Sequence, residues 1–437
     1  MAQSTIRLRD AVLRLGVIAS RQGDAARALE FFDRALAVDP EHALAHFNRG
    51  YVLHSLQQWE AALASYASAI ALEPDFAPAH SNRGAALVAL HRFIDARASL
   101  DRALELRPDY PEAHFSLAIL SLLQGDFAQG WTEYEWRWQT AGGRALRRTK
   151  NFSSPMWLGE EPIAGKTVLL HCERGLGDTL QFCRYAEKVA QLGAKVILQV
   201  QEPLVALLRC LPPQITVRGE AEPLPPFDLQ CPLLSLPLAF KTSLNTIPAA
   251  EKYLSANPEE LTRQQARLGA RTKPRVGLIW RGDPANPDDR SRSTALSDLL
   301  RYLPSGLQYF SLQKEITPAE AGLIRENPRV ALIADGLNFE QTAALCECLD
   351  LVISIDSSVA HLAAALGRET WILLPFSPDC RWMLNRGDSP WYPSVKLYRQ
   401  AAAGDWHTVF AAVAAGMALK WTAQILNSSG GGSSRPA

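Results

Sequence analysis

Apolar residues along this chain follow two different rhythms. From about Leu8 to Trp138 they recur at helical spacing in blocks of similar length, and most blocks close on a proline. Beyond about residue 160 short apolar runs alternate with longer amphipathic stretches. The runs are Lys166–Cys172, Ala194–Val200, Arg275–Trp280, Leu307–Leu312, Leu351–Ile355 and Glu369–Pro375. Runs of this length, partly β-branched and bounded by turn residues, suit buried strands of a parallel sheet with helical crossovers between them. The patterning therefore predicts an α + α/β fold: a helical N-terminal part followed by a two-part α/β region.

The helical part repeats itself. Pro40, Pro74 and Pro108 stand 34 residues apart, each after an apolar-charged pair (Val38-Asp39, Leu72-Glu73, Leu106-Arg107). Gly16, Gly50 and Gly84 keep the same spacing, with Ala118 in the fourth copy. Ala28, Ala62 and Ala96 do too, with Gly130 fourth, and so do Ala35, Ala69 and Ala103. Small residues at fixed places let two helices approach closely, and a proline ends the second. The period and its Gly/Ala/Pro positions resemble the tetratricopeptide repeat, in roughly three and a half copies over residues 1–140. That resemblance implies an α-solenoid with a concave surface suited to a polypeptide. Asn48 and Asn82 are the candidate acceptor-binding residues, able to hydrogen-bond an extended backbone, unless they are simply solvated. Arg49 and Arg83 recur beside them. His46, His80 and His114 are expected to fill a packing position of the repeat.

The most informative stretch of the α/β part is Asp350 to Gly367. Leu351 to Ile355 reads as a strand, Asp356-Ser357-Ser358 as a helix cap, Val359 to Leu366 as the helix and Gly367 as its stop. A strand, a polar turn and a helix N-terminus form an anion site, because free N–H groups and the positive end of the helix dipole point outward. Asp356-Ser357-x-x-x-His361-Leu362-Ala363-x-Ala365-x-Gly367 resembles the nucleotide-sugar motif of heptosyltransferase-like GT-B glycosyltransferases. In the first α/β part, Gly175-x-Gly177-Asp178 follows a strand and opens a helix. The glycines allow close backbone approach and positive φ. Leu180 occupies the third glycine position of a dinucleotide fingerprint, which excludes that site. The same stretch resembles the first loop of the heptosyltransferase-like enzymes.

Carried over residue by residue, the resemblance implies GT-B architecture, with two Rossmann-like α/β domains after the tetratricopeptide α-solenoid, and an inverting, metal-independent transfer from a nucleotide-sugar. Asp178 would be the catalytic base, with Arg174 and His171 as secondary candidates in the same cleft. Asp178 can also be read as a first-turn carboxylate stabilised by the helix dipole. Gly175, Gly177, Asp356, Ser357, Ser358 and His361 would line the donor and substrate site. Arg292, or Arg290 two residues before it, and Lys314 would meet the phosphates, since a guanidinium binds phosphate bidentately. No D-x-D triplet occurs, in keeping with metal independence, and no cofactor is expected beyond the donor. The expected acceptor is a protein hydroxyl, flagellin-like for example, recruited by the repeats. The alternatives are a lipid or polysaccharide acceptor, or a non-catalytic repeat scaffold.

Composition narrows the partners further. Lys+Arg and Asp+Glu both total 45, so neither nucleic acid nor an anionic membrane is an expected partner. The N-terminus lacks a secretory pattern and no apolar run approaches a membrane span. Seven scattered cysteines fit a reducing compartment, so a cytoplasmic location is expected. Self-association is left open. The expected organisation is repeats over 1–140, then an aromatic junction and linker over 141–160, with Ala141 to Lys150 as a loop. An acceptor-side domain over 161–255, a nucleotide-sugar domain over 270–425 and a disordered tail over 427–437 follow.

Overall fold

A computed structural model describes residues 2–150, 152–173, 175–283, 289–333 and 336–422. The expected tail over 427–437 lies outside the described residues, as does Arg174. The chain divides into two compact units, residues 1–151 and 152–437.

The first unit is built from four consecutive helix pairs. They are α1 (Ala2–Arg21) with α2 (Ala25–Val38), α3 (Ala43–Ser55) with α4 (Trp59–Leu72), α5 (Ala77–Ala89) with α6 (Phe93–Leu106), and α7 (Pro111–Gln124) with α8 (Phe127–Tyr134). The small residues of the repeat sit where the helices of a pair touch. A Cβ on Gly50 would lie 2.7 Å from the Tyr66 ring, and one on Gly84 would lie 2.6 Å from Leu100. Ala28, Ala62, Ala96, Ala35, Ala69 and Ala103 are all fully buried. The turn inside each pair holds a left-handed residue at the same place: Gly23, Gln57, His91 and Gly125 have φ of 78°, 60°, 58° and 84°.

The repeated histidines are structural. Nε2 of His46, His80 and His114 meets the carbonyl of Pro40, Pro74 and Pro108 at 2.9, 2.9 and 2.8 Å. Each bond ties the first helix of a repeat to the proline turn that precedes it. Arg49 is also engaged, through Asp33 at 2.7 Å and Ser65 at 2.9 Å, and so braces α2, α3 and α4.

The aromatic stretch after α8 packs within its own unit. Trp136 stacks on His114 (3.9 Å, 5°), and the Arg137 guanidinium lies over Tyr134 and Trp138. Residues 141–150, read as a loop from their glycines and charges, instead form α9 (Ala141–Thr149). Thr140 caps it by accepting from the Gly143 N–H, and glycine is needed there because a Cβ would collide with the Arg137 carbonyl.

The second unit contains two all-parallel sheets. The first has β1 (Thr167–His171), β2 (Lys195–Val200), β3 (Ile215–Gly219) and β4 (Leu229–Pro232), in the order β3-β2-β1-β4. The second has β5 (Arg275–Ile279), β6 (Gln308–Ser311), β7 (Val330–Leu332), β8 (Leu351–Ile355), β9 (Thr370–Leu374) and β10 (Val395–Arg399), in the order β10-β9-β8-β5-β6-β7. In each sheet the chain runs outward to one edge, then returns beside its first strand. That reversal lies between β1 and β4 in one sheet and between β5 and β8 in the other. Ligands of open α/β sheets bind beyond the carboxyl ends of the strands at such a reversal. The loops after β1 and β8 are the two motif loops, so topology alone places both at ligand-binding positions.

Arg184 ties the two sheet regions together. It is 5% exposed and donates to the carbonyls of Gln181 (2.7 Å) and Trp391 (2.6 Å) and to the Tyr253 hydroxyl (2.8 Å). The Tyr253 and Tyr392 rings flank its guanidinium at 4.4 and 4.5 Å. Hydrogen bonds to carbonyls and aromatic faces replace the usual counter-ion.

Candidate functional site

The first motif loop folds as its residues require. Gly175 caps the short helix α10 (Leu176–Phe182), which places Asp178 in the first turn. Neither Gly175 nor Gly177 has positive φ, so the expected left-handed turn is absent. Both glycines serve close approach instead. A Cβ on Gly175 would come 2.5 Å from Asp178 Oδ2, and one on Gly177 would come 2.9 Å from Cδ2 of His361.

The second motif loop is the turn from β8 into the helix Ser358–Ala365. Ser357 is its N-cap: its hydroxyl accepts from the Ala360 N–H at 3.2 Å and pairs with the buried Ser354 hydroxyl at 2.9 Å. The Ser357 side chain is thus committed to the cap. The intrahelical ladder begins with the His361 N–H on the Ser357 carbonyl, so the N–H groups of Ser358 and Val359 precede it. Gly367 ends the element in the left-handed conformation, φ 71°.

The two loops meet around one arginine that the motifs do not include. Arg381 follows β9 and its side chain is 16% exposed. It donates to Asp178 Oδ1 at 2.7 Å, to Gln181 Oε1 at 2.9 Å, and to Asp379 at 2.9 and 3.2 Å. It also lies 3.3 Å from His361 Nε2. Its carboxylate neighbours hold the guanidinium firmly in the charged form. His361 is 2% exposed, stacked on Trp382 (5.3 Å, 21°) and bonded through Nδ1 to the Tyr392 hydroxyl at 2.8 Å. Burial pushes its pKa below the usual value, so the ring is neutral. Its Nε2 faces both Arg381 and Asp356. Asp356 lies 3.5 Å from His361 Nε2. Burial alone would raise its pKa, but His361 and Arg381 outweigh it and hold the carboxyl below the usual range.

Of the residues expected from sequence, Gly175, Gly177, Asp178, Asp356, Ser357, Ser358 and His361 converge here. Arg292, expected on a polar loop, ends the short helix Asp289–Arg292 after β5, and Lys314 lies on the loop after β6. Arg292 pairs with Asp289 at 3.3 Å, whose other oxygen accepts from Ser293 at 2.7 Å. Lys314 is exposed, with Nζ 5.8 Å from the Phe339 ring centre. Arg281 is taken by Glu320 and the Glu315 carbonyl. Asn48 and Asn82 sit half-buried at equivalent places on α3 and α5 of the first unit. His171 is buried and bonded to Gln230 at 2.9 Å. Arg381, Gln181 and Asp379 escaped sequence reasoning because no motif carries them. The available signal was positional: a charged Asp379-x-Arg381-Trp382 cluster directly after a buried strand.

Comparison with known proteins agrees with this architecture. Residues 310–374 match glycosyltransferase family 9 (heptosyltransferase), which covers β6 to β9 and the second motif loop. Residues 50–91 match a TPR repeat family, and residues 10–42, 31–64 and 82–134 match tetratricopeptide repeat families. The chain therefore joins tetratricopeptide repeats to a heptosyltransferase-like α/β region. It is similar to Protein FlbA of Caulobacter vibrioides, 26% identical over 431 residues, 92% of this chain. The chain spans 65% of the length of that relative. Solved structures similar to it include the Arabidopsis OM64 TPR domain (22% identity, 26% of this chain and 96% of that one, TM-score 0.26). Another is the first TPR of Spaghetti (RPAP3) bound to an HSP90 peptide (27%, 26% and 91%, TM-score 0.26). No described helix is long and apolar enough to cross a membrane.

Proposed function

We propose that the second unit is a glycosyltransferase that moves a sugar from a nucleotide-sugar to a hydroxyl of a protein acceptor recruited by the repeats. The observation that carries this reading is the convergence of Asp178 with Asp356 and His361. These residues come from two loops at the reversal points of two parallel sheets, and they meet through Arg381 at 2.7 and 3.3 Å. Asp178 takes the proton of the acceptor hydroxyl. The acceptor oxygen then bonds to the anomeric carbon from the face opposite the leaving group, and the nucleotide phosphate departs with the electron pair, inverting the centre. The N–H groups of Ser358 and Val359, with Arg292 and Lys314 from the neighbouring loops, receive the phosphate charge and make a divalent metal unnecessary. Asp356 and His361 orient the sugar. Asn48 and Asn82 hold the acceptor polypeptide, a flagellin-like protein being one candidate.

The test is thermal stability of the protein against UDP, GDP, ADP, CMP and their sugar forms, with and without EDTA. A ligand at about 100 times its dissociation constant adds roughly 2.7 kcal/mol. One nucleotide should raise the midpoint equally in EDTA, and Arg292→Ala should lose the shift. A folded protein that no nucleotide stabilises would sink the reading.

A further inference from the structure

Asp178 in this structure is not poised as a base. Its Oδ1 accepts a charge-assisted bond from Arg381 at 2.7 Å, which pairs the carboxylate with a guanidinium. Its Oδ2 is turned toward the Gly175 backbone, close enough that a Cβ there would be 2.5 Å away. The side chain is only 23% exposed. One carboxylate oxygen is therefore engaged by Arg381 and the other lies against the loop backbone.

Arg381 can leave Asp178 without becoming an unpaired charge. Asp379 lies two residues away on the same loop and binds both Nε and Nη2, at 2.9 and 3.2 Å. Its other oxygen role is local, since Asp379 also caps the Arg381 N–H at 2.9 Å, so this partner moves with the arginine. The remaining contacts, to Gln181 and His361, face the loop pair. The start of the helix Ser358–Ala365 is next to them: a Cβ on Gly177 would meet His361 at 2.9 Å and the Ser358 Cα at 3.7 Å. An anion on the Ser358 and Val359 N–H groups would thus be a second claimant for the guanidinium. Asp178 and Asp379 share the one guanidinium, so Arg381 can turn toward an arriving phosphate while Asp379 stays bonded to it.

We propose that Arg381 is a donor-operated restraint on Asp178: it masks the base until nucleotide phosphate draws the guanidinium away. The inference rests on the glycosyltransferase reading and on Asp178 as its base. It makes Arg381 a positioning residue for deprotonation, and it orders the reaction, with donor entering before the acceptor hydroxyl can be activated.

Equilibrium binding of the nucleotide selected by the thermal screen, to the wild-type chain, three single variants and their doubles with Arg381→Gln, tests it without any need for turnover. Nucleotide binding must break the Arg381–Asp178 pair, so Asp178→Asn should bind nucleotide about five- to thirtyfold more tightly, about 1–2 kcal/mol. Asp379→Asn keeps Oδ1 as acceptor for the Arg381 N–H and Nε but removes the negative charge and the Nη2 contact, which leaves Asp178 the stronger partner of the guanidinium, so it should bind more weakly. In the Arg381→Gln background, Asp178→Asn should have no effect. Bare charge repulsion predicts instead that both carboxylate variants tighten, in either background, and that result overturns the proposal. Equal binding by wild type and Asp178→Asn also overturns it, even if Arg381→Gln does not fold. If no nucleotide binds any folded variant, the glycosyltransferase reading itself fails and takes the restraint with it.

Discussion

The imidazole of His361 occupies the space that a side chain on Gly177 would need, with Cδ2 2.9 Å from the missing Cβ. Two residues 184 positions apart by number (361 − 177) are thus in direct contact, one on each motif loop. The ring cannot simply move aside, because Tyr392 holds Nδ1, Arg381 faces Nε2 and Trp382 stacks on its face. Gly177 is inside a helix, so alanine would gain up to about 1 kcal/mol of helix propensity while pushing the loops apart. Gly177→Ala should therefore melt within about 1 kcal/mol of wild type yet lose transfer at least about tenfold, since a misplacement of under an ångström is costly at a reacting centre. Calorimetry beside a turnover assay checks this. An unchanged rate would show that the loop contact has no part in the chemistry.

Much of this arrangement is legible in the sequence, for a physical reason. The Gly175-x-Gly177-Asp178 and Asp356-to-Gly367 stretches are local: strand, turn and helix start follow one another, and each residue's constraint comes mostly from its neighbours. The repeat is equally local, because each 34-residue block makes the same contacts as the last. The meeting of the loops is not local. Arg381 lies 203 residues from Asp178, and nothing in its neighbourhood marks it as the partner of a distant carboxylate. The glycine conformations differ from expectation because positive φ is the common local demand on glycine, whereas here the demand is close approach, by Asp178 at Gly175 and by His361 from the other loop at Gly177. The helix over Ala141–Thr149 was hidden by two glycines, one of which is required by the close Arg137 carbonyl.

The repeat turns carry a stability that the sequence has left unused. Gln57 and His91 hold the left-handed conformation that glycine supplies at positions 23 and 125. An L-residue with a Cβ is strained in that region by roughly 1 kcal/mol. Gln57→Gly should stabilise the protein by about 0.5–1 kcal/mol, and Gly23→Ala, with open space around it but φ 78°, should destabilise it by a similar amount. Chemical denaturation of the two variants decides the matter, and the same sign for both would contradict it.

The repeated histidines and asparagines separate by the same kind of measurement. His80→Ala removes the bond to the Pro74 carbonyl and should cost about 1 kcal/mol of stability with transfer to a protein acceptor unchanged. Asn48→Ala and Asn82→Ala together should raise KM for a protein acceptor with nucleotide affinity untouched, and lower the melting midpoint only through the lost contact of Asn82 with the buried Tyr66 hydroxyl. A double variant that transfers with wild-type KM would remove the asparagines from acceptor recognition.

Glu320 gives the acid side of the stability curve a defined source. Its carboxylate accepts from the Trp280 indole at 2.7 Å, from Arg281 at 3.3 Å and from the Thr317 N–H at 2.8 Å. Burial opposes the charge, but these donors outweigh it and bring the pKa from 4.5 down to about 2. A folded pKa below the unfolded one means that the unfolded chain binds the extra proton as pH falls. The contribution is complete above about pH 4.5 and is lost progressively between about 4.5 and 2, and after allowance for partial exposure it amounts to about 2 kcal/mol. Glu320→Gln keeps an acceptor for Thr317 and removes the charge, leaving Arg281 without its ion-pair partner. The variant should be about 2 kcal/mol less stable at pH 7, with the difference shrinking toward pH 2.5. Urea midpoints across that range measure it, and a gap that stays constant with pH would place the acid sensitivity elsewhere, on Asp356 and His361, whose depressed pKa values act with the same sign.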